Sequence, residues 1–294
     1  MGNKKILVTG ANGQLGRELQ AIALVFPQFD FSFHDRNTLN IDDPAKVTAT
    51  IALEQPAWCI NCAAYTAVDK AETEKDKAFH INATAVGKLA AACRDTGTRL
   101  IHISTDYVFD GLSATALKEG DPTGPISVYG ASKLEGEHQA LQHYPEGTVI
   151  IRTSWVYSEF GNNFVRTMLR LMKERPSINV VSDQVGSPTY AADLASAILQ
   201  IVTAPSFVPG IYHYSNEGEI SWYEFALAIR ELTGSSCEVN PIPTAQYPTP
   251  ARRPPYSLLD KGRIKAVYGM AIPGWRQSLI TCLQRLDVLT PTNT

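Results

Sequence analysis

A tyrosine and a lysine four positions apart, Tyr129 and Lys133, are the side chains of this sequence best suited to proton transfer. On a helix, this spacing places the phenol and the ammonium close together on one face. An unperturbed tyrosine, with a pKa of about 10, exchanges protons slowly at neutral pH. A nearby lysine cation stabilises the phenolate and lowers that pKa toward the neutral range. The pair therefore predicts a site where Tyr129 protonates a carbonyl oxygen while hydride reaches the carbon.

A second polar group, the segment 104–107 (Ser-Thr-Asp-Tyr), follows a predicted buried strand. The carboxyl ends of parallel strands form the edge at which doubly wound sheets bind ligands. A threonine hydroxyl there could hold the same carbonyl oxygen and stabilise its developing charge. We therefore expect Thr105 to complete a catalytic set with Tyr129 and Lys133. His102, in the same strand, is predicted to be a hydrogen-bonded core residue rather than a catalyst.

Glycines spaced three residues apart, Gly10, Gly13 and Gly16, occupy the first predicted strand-to-helix turn. Such glycines permit a tight turn, close approach of a pyrophosphate and close helix packing. Amide groups at the start of the next helix then bind the phosphates without net positive charge. A glycine-rich turn can also be purely structural, but its place after the first strand favours a dinucleotide site.

The second predicted strand ends in Asp35 and Arg36, at about the twenty-residue distance expected of a ribose-binding acid. Asp35 could accept a hydrogen bond from the ribose 2′-hydroxyl of NADH, whereas Arg36 could pair with the 2′-phosphate of NADPH. An arginine at this position favours NADPH, with NADH as the alternative.

Short apolar segments that alternate with helical patterns position these residues. They predict a parallel sheet covered on both faces, and right-handed crossovers then give a Rossmann-like doubly wound α/β fold. The predicted strands are 6–8, 29–34, 58–63, 100–104 and 149–153, and the predicted helices are 15–25, 45–53, 69–94 (one long or broken helix) and 130–143.

Beyond about residue 155 the pattern becomes irregular, with helices predicted at 162–173 and 191–202. Ser221 and Glu224 form a capping box that opens a helix to about Leu232. The segment 240–255 contains six prolines and is expected to be extended loop rather than regular structure. We predict a dinucleotide-binding domain over 1–153 and a smaller α+β substrate-binding lobe over 154–294. Some later segments return to the first domain, and the ligand binds in the cleft between.

The composition is that of an ordinary globular protein, with 294 residues, 44% hydrophobic and 19% charged. A formal net charge of −3 provides no positive field to attract nucleic acid or an anionic membrane. No apolar run approaches the length that spans a bilayer. Five scattered cysteines indicate reduced thiols. We therefore expect a cytoplasmic protein that binds neither nucleic acid nor membrane.

Several longer strings carry a resemblance to a known family. They are 9–16, 61–72, 81–83, 104–109 (Ser-Thr-Asp-Tyr-Val-Phe), 129–133, 152–157 (Arg-Thr-Ser-Trp-Val-Tyr), 161–164 and 183–189, with Arg253-Pro and Ser257 beyond them. With these strings the chain resembles the extended short-chain dehydrogenases over nearly its whole length. Within that family it is most similar to the reductases of dTDP-linked 4-keto-6-deoxy sugars.

The resemblance implies a reaction and a set of contacts. NAD(P)H would deliver hydride to C4 of the sugar, Tyr129 would protonate the alkoxide, and Lys133 would act on Tyr129 and bind the nicotinamide ribose, with Thr105 assisting. Positions that match family cofactor contacts are Gly13, Gln14, Leu15, Asn40, Ile41, Ala64, Tyr65 and Thr66. Positions that match sugar-nucleotide contacts are Thr105, Asp106 and Trp155, and further substrate contacts are expected at Gln184, Thr189 and Arg253.

A departure from the family pattern concerns a metal. Some members of the family hold Mg²⁺ with three glutamates at a dimer interface. Here Glu18 matches the first, but the other two positions are Ala192 and Arg285. One carboxylate beside a cation does not make such a site, so no metal is expected, and we expect a monomer or a weak homodimer.

Two alternatives to the reductase remain open on the sequence. A related short-chain epimerase or dehydratase would keep its cofactor tightly bound. A non-catalytic NADP-binding protein would resemble the regulatory subunit of methionine adenosyltransferase, which belongs to the same family.

Overall fold

Strands and helices alternate through the first half of the chain, as its apolar segments predict. The computed structural model describes residues 4–289, so residues 1–3 and 290–294, at the outer ends of the two predicted domains, lie outside the described residues. The strands are β1 (Lys4–Thr9), β2 (Phe29–His34), β3 (Trp58–Asn61), β4 (Arg99–Thr105) and β5 (Thr148–Thr153). The helices are α1 (Gln14–Ala23), α2 (Pro44–Glu54), α3 (Val68–Ala71), α4 (Lys75–Phe79), α5 (Ala85–Thr96) and α6 (Val128–His143).

The second half has shorter strands between its helices. The strands are β6 (Val156–Tyr157), β7 (Ser177–Val181), β8 (Val185–Gly186), β9 (Thr189–Tyr190), β10 (Gly210–Tyr214), β11 (Ile220–Ser221) and β12 (Glu238–Ile242). The helices are α7 (Phe164–Glu174), α8 (Ala191–Thr203), α9 (Trp222–Leu232), α10 (Gly262–Tyr268) and α11 (Trp275–Arg285). The predicted capping box is present at α9, where Ser221 and Glu224 bond to each other's backbone amides.

A six-stranded parallel sheet in the order β2-β1-β3-β4-β5-β10 forms the centre of the fold. Successive residues of its strands point to opposite faces, so Ile6 and Val8 join a core with α1 and α8, while Leu7 joins a core with α2, α5 and α6. Both faces are therefore buried, and the predicted Rossmann-like doubly wound fold is confirmed.

The alanine-rich segment predicted as one long or broken helix is broken. It forms α3, α4, a π-helical turn (His80–Thr84) and α5. The turn places Asn82 in a buried position, where its side chain bonds the backbone N–H and C=O of Tyr65 and the hydroxyl of Ser132. It thereby ties the segment after β3 to α6.

The proline-rich segment 240–255 departs from the prediction of extended loop without regular structure. Its first residues belong to β12, which pairs in parallel with β7, and Pro241 lies opposite Val180. A short 3₁₀ turn (Thr244–Gln246) follows. The prediction was wrong at these positions because proline is tolerated on an edge strand, and both strands of a two-stranded sheet are edges.

Late segments of the chain return to the central sheet. β10 pairs with β5, and α8 packs its apolar side against the core that α1 covers. A separate core forms around α7, α9 and α11 in the second half, with Tyr157 and Phe225 fully buried there. Between residues 4 and 289, no helix combines the length and apolar character needed to cross a bilayer.

Candidate active site

A cavity of about 920 Å³ opens at the carboxyl edge of the central sheet. It lies where the strand order reverses, between β1 and β3, the position at which open α/β sheets bind ligands. Gly10 follows β1, Cys62 follows β3 and Thr105 ends β4, and all three line the cavity. Its volume is in the range of small-molecule and cofactor sites.

The glycine turn forms one wall of this cavity. Gly10 has a φ of +68°, and a Cβ atom there would lie 2.6 Å from the Ala63 nitrogen, so only glycine fits. At Gly16 a Cβ atom would lie 2.7 Å from the Ala11 Cα, so α1 can approach the turn only without a side chain. Gly13 is the N-cap of α1 and supplies no side-chain cap, which leaves the first amides of α1 available to an anion.

An acid and a cation after β2, Asp35 and Arg36, and a second cation from α4, Lys77, lie at one end of the cavity. The Asp35 carboxylate accepts bonds from the Asn37 and Thr38 amides, each at 2.9 Å, and from the Asn12 side chain at 2.8 Å. The bond from the Thr38 amide is the largest cause that lowers the Asp35 pKa. Arg36 and Lys77 line the same end of the cavity. Because the Asp35 oxygens already have local donors, this end favours a phosphate over a bare ribose hydroxyl.

Thr105, Tyr129 and Lys133 line the cavity together. Ser127 caps α6 by accepting a bond from the Gly130 amide at 3.1 Å, which places Tyr129 in the first turn and Lys133 one turn later. The Thr105 hydroxyl donates to Asp106 Oδ1 at 3.0 Å. Lys133 Nζ donates to the Ile103 carbonyl at 2.7 Å.

The Tyr129 pKa differs from the expectation that Lys133 lowers it. Burial raises the Tyr129 pKa to about 12, the Asp106 charge raises it further, and a hydrogen bond with Thr105 opposes both. Burial lowers the Lys133 pKa to about 8, opposed by the charge of Glu137. No lowering by the Lys133 charge offsets the rise at Tyr129. A protonated phenol is nevertheless the form that donates a proton to a reduced carbonyl.

Asp106 lies beside Thr105 and is almost fully buried at the cavity wall. Burial raises its pKa to about 6, while hydrogen bonds with Ser257 and Thr105 oppose that rise. At neutral pH it is mainly a carboxylate, an acceptor suited to a sugar hydroxyl.

Two stacked indoles, Trp155 and Trp222, close the cavity on the side of the second half. Their ring centroids are 3.7 Å apart and their planes differ by 12°. Trp155 has a φ of +47°, a strained conformation for a bulky residue. Trp222 was missed by the sequence reasoning because its contact with Trp155 joins distant segments. The capping box at Ser221 fixed the start of α9 but gave no signal of that contact.

Most of the predicted site residues line this one cavity. They are Gly10, Gly13, Gln14, Leu15, Gly16, Asp35, Arg36, Asn40, Ile41, Ala64, Tyr65, Thr66, Thr105, Asp106, Tyr129, Lys133 and Trp155. The structure adds Asn12, Lys77, Asn162 and Trp222 to the lining. Gln14 also accepts a bond from Asn163 at 2.9 Å, which joins the glycine turn to the second half of the chain.

Three predicted substrate contacts lie away from the cavity lining. Gln184 donates to Thr244 at 3.0 Å, and the buried Thr189 accepts a bond from Thr153 at 3.2 Å. Arg253 forms an ion pair with Asp69, with Nη2 2.9 Å from Oδ2. All three stay predictions as substrate contacts.

The residues compared above with a family metal site form a different cluster. Glu18 is buried beside Glu159, and Arg285 lies 3.6 Å from the Glu18 carboxylate and 3.0 Å from that of Glu159. Ala192 opens α8. Burial and the neighbouring Glu159 raise the Glu18 pKa to about 8. Within the part of the chain that the structure describes, no group of three or more His, Cys, Asp or Glu side chains is arranged to hold a metal ion.

Comparisons with known proteins give a consistent result. Residues 4–288 match the family model of the RmlD substrate binding domain. A dTDP-4-dehydrorhamnose reductase of Aggregatibacter actinomycetemcomitans is 41% identical over 285 residues, which cover 94% of this chain and 97% of that protein. A crystal structure of a dTDP-4-dehydrorhamnose reductase from Clostridium acetobutylicum has a TM-score of 0.92 and 41% identity, covering 96% of this chain and 99% of the other. That of the Bacillus anthracis reductase, in complex with NADP, has a TM-score of 0.92 and 39% identity with the same coverage.

Proposed function

This chain belongs to the dTDP-4-dehydrorhamnose reductase family, and from that membership we propose that it uses NADPH to reduce the C4 ketone of dTDP-4-dehydro-L-rhamnose, giving dTDP-L-rhamnose. One observation carries the proposal. The glycine turn and the set of Thr105, Tyr129 and Lys133 line the same cavity, although they come from distant parts of the chain. A dinucleotide on the turn and a ketone at the set would therefore meet.

The chain's own residues hold the cofactor in this proposal. The first amides of α1 bind the pyrophosphate, and the segment of Ala64, Tyr65 and Thr66 covers the dinucleotide opposite the turn. Arg36 pairs with the 2′-phosphate, which supports NADPH as the cofactor and NADH as a poorer substitute. When bound, the nicotinamide supplies the hydride.

The remaining steps fall to side chains of the cavity. Thr105 hydrogen-bonds the carbonyl oxygen of the sugar, and Tyr129 Oη gives that oxygen its proton. The Lys133 ammonium lies one helical turn from Tyr129 and supports the phenolate as the proton leaves. Each turnover thus consumes one hydride and one proton and leaves the C4 alcohol.

Substrate recognition is assigned to both halves of the chain. The Asp106 carboxylate accepts a hydrogen bond from a sugar hydroxyl. The indole of Trp155, which lines the same cavity, packs against the sugar. Three further substrate contacts require that a bond within the protein be replaced by a bond to the substrate. They are Gln184, now bonded to Thr244, Thr189, now bonded to Thr153, and Arg253, now paired with Asp69.

The proposal includes no divalent cation at Glu18. Arg285 places a guanidinium beside the carboxyl groups of Glu18 and Glu159, and so supplies the positive charge at this cluster. We accordingly propose a monomer or a weak homodimer without a metal link. A cytoplasmic location and the lack of a nucleic-acid or membrane partner are proposed from the net charge of −3 and the unpaired cysteines among the described residues.

Activity of the purified protein tests the proposal. With NADPH and dTDP-4-dehydro-L-rhamnose, we expect stoichiometric loss of cofactor absorbance and formation of dTDP-L-rhamnose. The Tyr129→Phe variant lacks the hydroxyl that donates the proton, so its kcat should be lower by about 10²–10⁴-fold. Tyr144→Phe is the matched control, because Tyr144 follows the far end of α6.

Other outcomes would identify the alternatives. Product formed without net consumption of cofactor indicates an epimerase or dehydratase. An absence of turnover, together with co-purification of a synthetase, indicates a regulatory subunit. Full activity of Tyr129→Phe contradicts the mechanism.

A further inference from the structure

A row of buried polar side chains crosses the central sheet beneath the cavity. Thr9 on β1, Asn61 on β3 and His102 on β4 are direct cross-strand neighbours in the parallel register. All three are at most 1% exposed. Buried polar groups are costly unless each is bonded, so the bonds within the row determine how each group is oriented.

The bonds of Asn61 fix which nitrogen of His102 carries the proton. Asn61 Oδ1 accepts from the Thr9 hydroxyl at 2.6 Å and from the Ala63 amide at 3.3 Å. The Asn61 amino group therefore faces His102, and its Nδ2 lies 3.0 Å from His102 Nδ1. Since that amino group can only donate, Nδ1 must accept. The neutral ring then carries its proton on Nε2, a tautomer assigned from its partners.

The row ends at the lysine of the cavity. His102 Nε2 lies 3.4 Å from Lys133 Nζ, which also donates to the Ile103 carbonyl. Lys133 is 2% exposed, so the imidazole and the carbonyl are its immediate polar surroundings at the base of the cavity. An Nε2–H group directed at an ammonium repels it, whereas the same group can donate to a neutral amine.

We propose that His102 is a positioning residue for ketone reduction, held in its Nε2–H tautomer by Asn61 and Thr9, and that it acts by offering the Lys133 ammonium no acceptor, which leaves the Nζ donors not used by the Ile103 carbonyl for groups in the cavity. This inference rests on the proposed function, because it assigns a role toward the lysine of that reaction. His102 does not line the cavity, so it acts only through Lys133.

The charge of Lys133 reflects groups from every element packed against it. Glu137, one turn further along α6, favours the charged form, but the Glu137 carboxylate is itself paired with Arg152 of β5 at 2.7 Å. His102 contributes from β4, and its own pKa is held well below the usual value by burial and by the Lys133 charge, so it stays neutral. Tyr129 on α6 and Asp106 after β4 complete the titratable groups of the site. With the Lys133 pKa near 8, a change at His102 acts in the range where activity is measured.

The row also joins Lys133 to both segments that line the cofactor side of the cavity. Thr9 immediately precedes Gly10, and the Ala63 amide that bonds Asn61 belongs to the segment after β3. The tautomer of His102 is therefore fixed by the same backbone that is proposed to hold the dinucleotide.

Nuclear magnetic resonance of the wild-type protein labelled with ¹⁵N-histidine tests the tautomer directly. We expect the His102 ring to show a protonated Nε2 and an unprotonated Nδ1 across pH 6 to 9, a range that includes the imidazole's unperturbed pKa of about 6.5. A protonated Nδ1, or a ring that titrates in this range, overturns the proposal. The measurement needs no turnover, so it is independent of whether the proposed reaction occurs.

The pH profile of His102→Gln tests the effect on Lys133. The glutamine carbonyl can reach the position of Nε2 and accept from the ammonium, so the alkaline limb of kcat/KM should move up by about one pH unit. The Lys133 pKa, followed through the ¹³Cε signal of labelled lysine, should move by the same amount. A uniform loss of activity at all pH values, with no shift of either, would mean that His102 has only a structural role.

His213→Gln is the matched control. His213 is equally buried, lies on β10 and bonds the Leu117 carbonyl, away from Lys133. The loss of a buried imidazole should lower the stability of this variant without shifting the alkaline limb. A shift as large as that of His102→Gln would overturn the proposal. An inactive wild-type protein would instead refute the proposed function and leave the tautomer measurement valid.

Discussion

Burial acts in opposite directions on the two ionisable side chains at the centre of the cavity. It raises the Tyr129 pKa to about 12 and lowers that of Lys133 to about 8. At neutral pH the Tyr129 phenol therefore keeps the proton that ketone reduction consumes. The Lys133 side chain still carries its charge in most protein molecules. Both states suit reduction better than the reverse oxidation, which needs the phenolate as a base.

Arg36 is predicted to determine the preference between cofactors. The Asp35 carboxylate is bonded by Asn12, Asn37 and Thr38, so the arginine is the group best placed for a 2′-phosphate. In Arg36→Ala we expect the KM for NADPH to rise by about 10- to 100-fold, the loss expected for a charge-assisted bond, with the KM for NADH little changed. Steady-state kinetics with both cofactors checks this.

Arg94→Ala is the control for Arg36→Ala. Arg94 lies on α5, exposed and paired with the neighbouring Asp95. Its loss should leave both KM values unchanged. An equal rise of both KM values in Arg36→Ala would show that the arginine does not read the 2′-phosphate.

The contact between the glycine turn and α1 depends on a missing side chain at Gly16. Alanine favours a helix over glycine by about 1 kcal/mol, but here its Cβ would press on the backbone of Gly10 and Ala11. Overpacking of this kind costs about 1–3 kcal/mol and must shift α1 away from the turn. We expect Gly16→Ala to bind NADPH more weakly and to unfold at a lower temperature, measured by titration and calorimetry.

Gly120→Ala provides the comparison for Gly16→Ala. A Cβ atom at Gly120 meets nothing within 4 Å, so its cofactor affinity and unfolding temperature should match those of the wild type. Wild-type affinity in Gly16→Ala would contradict the tight packing of α1.

The cluster of Glu18 on α1, Glu159 and Arg285 on α11 should make the stability of the protein depend on pH. Burial and Glu159 raise the Glu18 pKa to about 8 in the folded chain, from about 4.5 when unfolded. The folded state therefore binds one more proton between these values, and its stability falls as pH rises from about 5 to 8. Glu18→Gln does not titrate, so it should gain stability over the wild type at pH 8 by on the order of a few kcal/mol, and little at pH 5.

Thermal unfolding of both proteins at the two pH values measures this difference. Glu174→Gln is the control, because Glu174 forms an exposed pair with Arg170 on α7 and such pairs contribute little. A Glu18→Gln variant that is less stable than the wild type at pH 8 would indicate that the Arg285 pair outweighs the cost of burying the charge.

Residues from both halves of the chain line the cavity, so a ligand there should stabilise both halves. Gln14 of the glycine turn bonds Asn163, and Trp155 and Trp222 line the same space as Tyr129. We expect NADPH at about 100 times its Kd to add about 2.7 kcal/mol to the free energy of unfolding, in a single transition. Calorimetry with and without NADPH checks this, and two transitions of which only one moves would show that the two halves of the chain unfold separately.

The central sheet and most of the cavity could be predicted from the sequence because their signals are local. The apolar runs around Ile6 and Ile101 marked strands, and the spacing of Tyr129 and Lys133 marked a helix face. Features that depend on distant pairing were missed. Pro241 gave every local sign of a loop, yet β12 pairs with β7, and nothing near Trp222 signalled its stack on Trp155.

The return of β10 to the central sheet has a consequence for how the protein is made on the ribosome. β5 ends at Thr153, but the strand that pairs with its outer side begins only at Gly210. A nascent chain shorter than this carries β5 as an open edge, and one that ends before Ala191 also lacks α8, which covers one face of the sheet. Such a chain exposes unpaired backbone and apolar surface, the features that lead to aggregation during synthesis. The central sheet therefore completes its folding only after β10 has been synthesised.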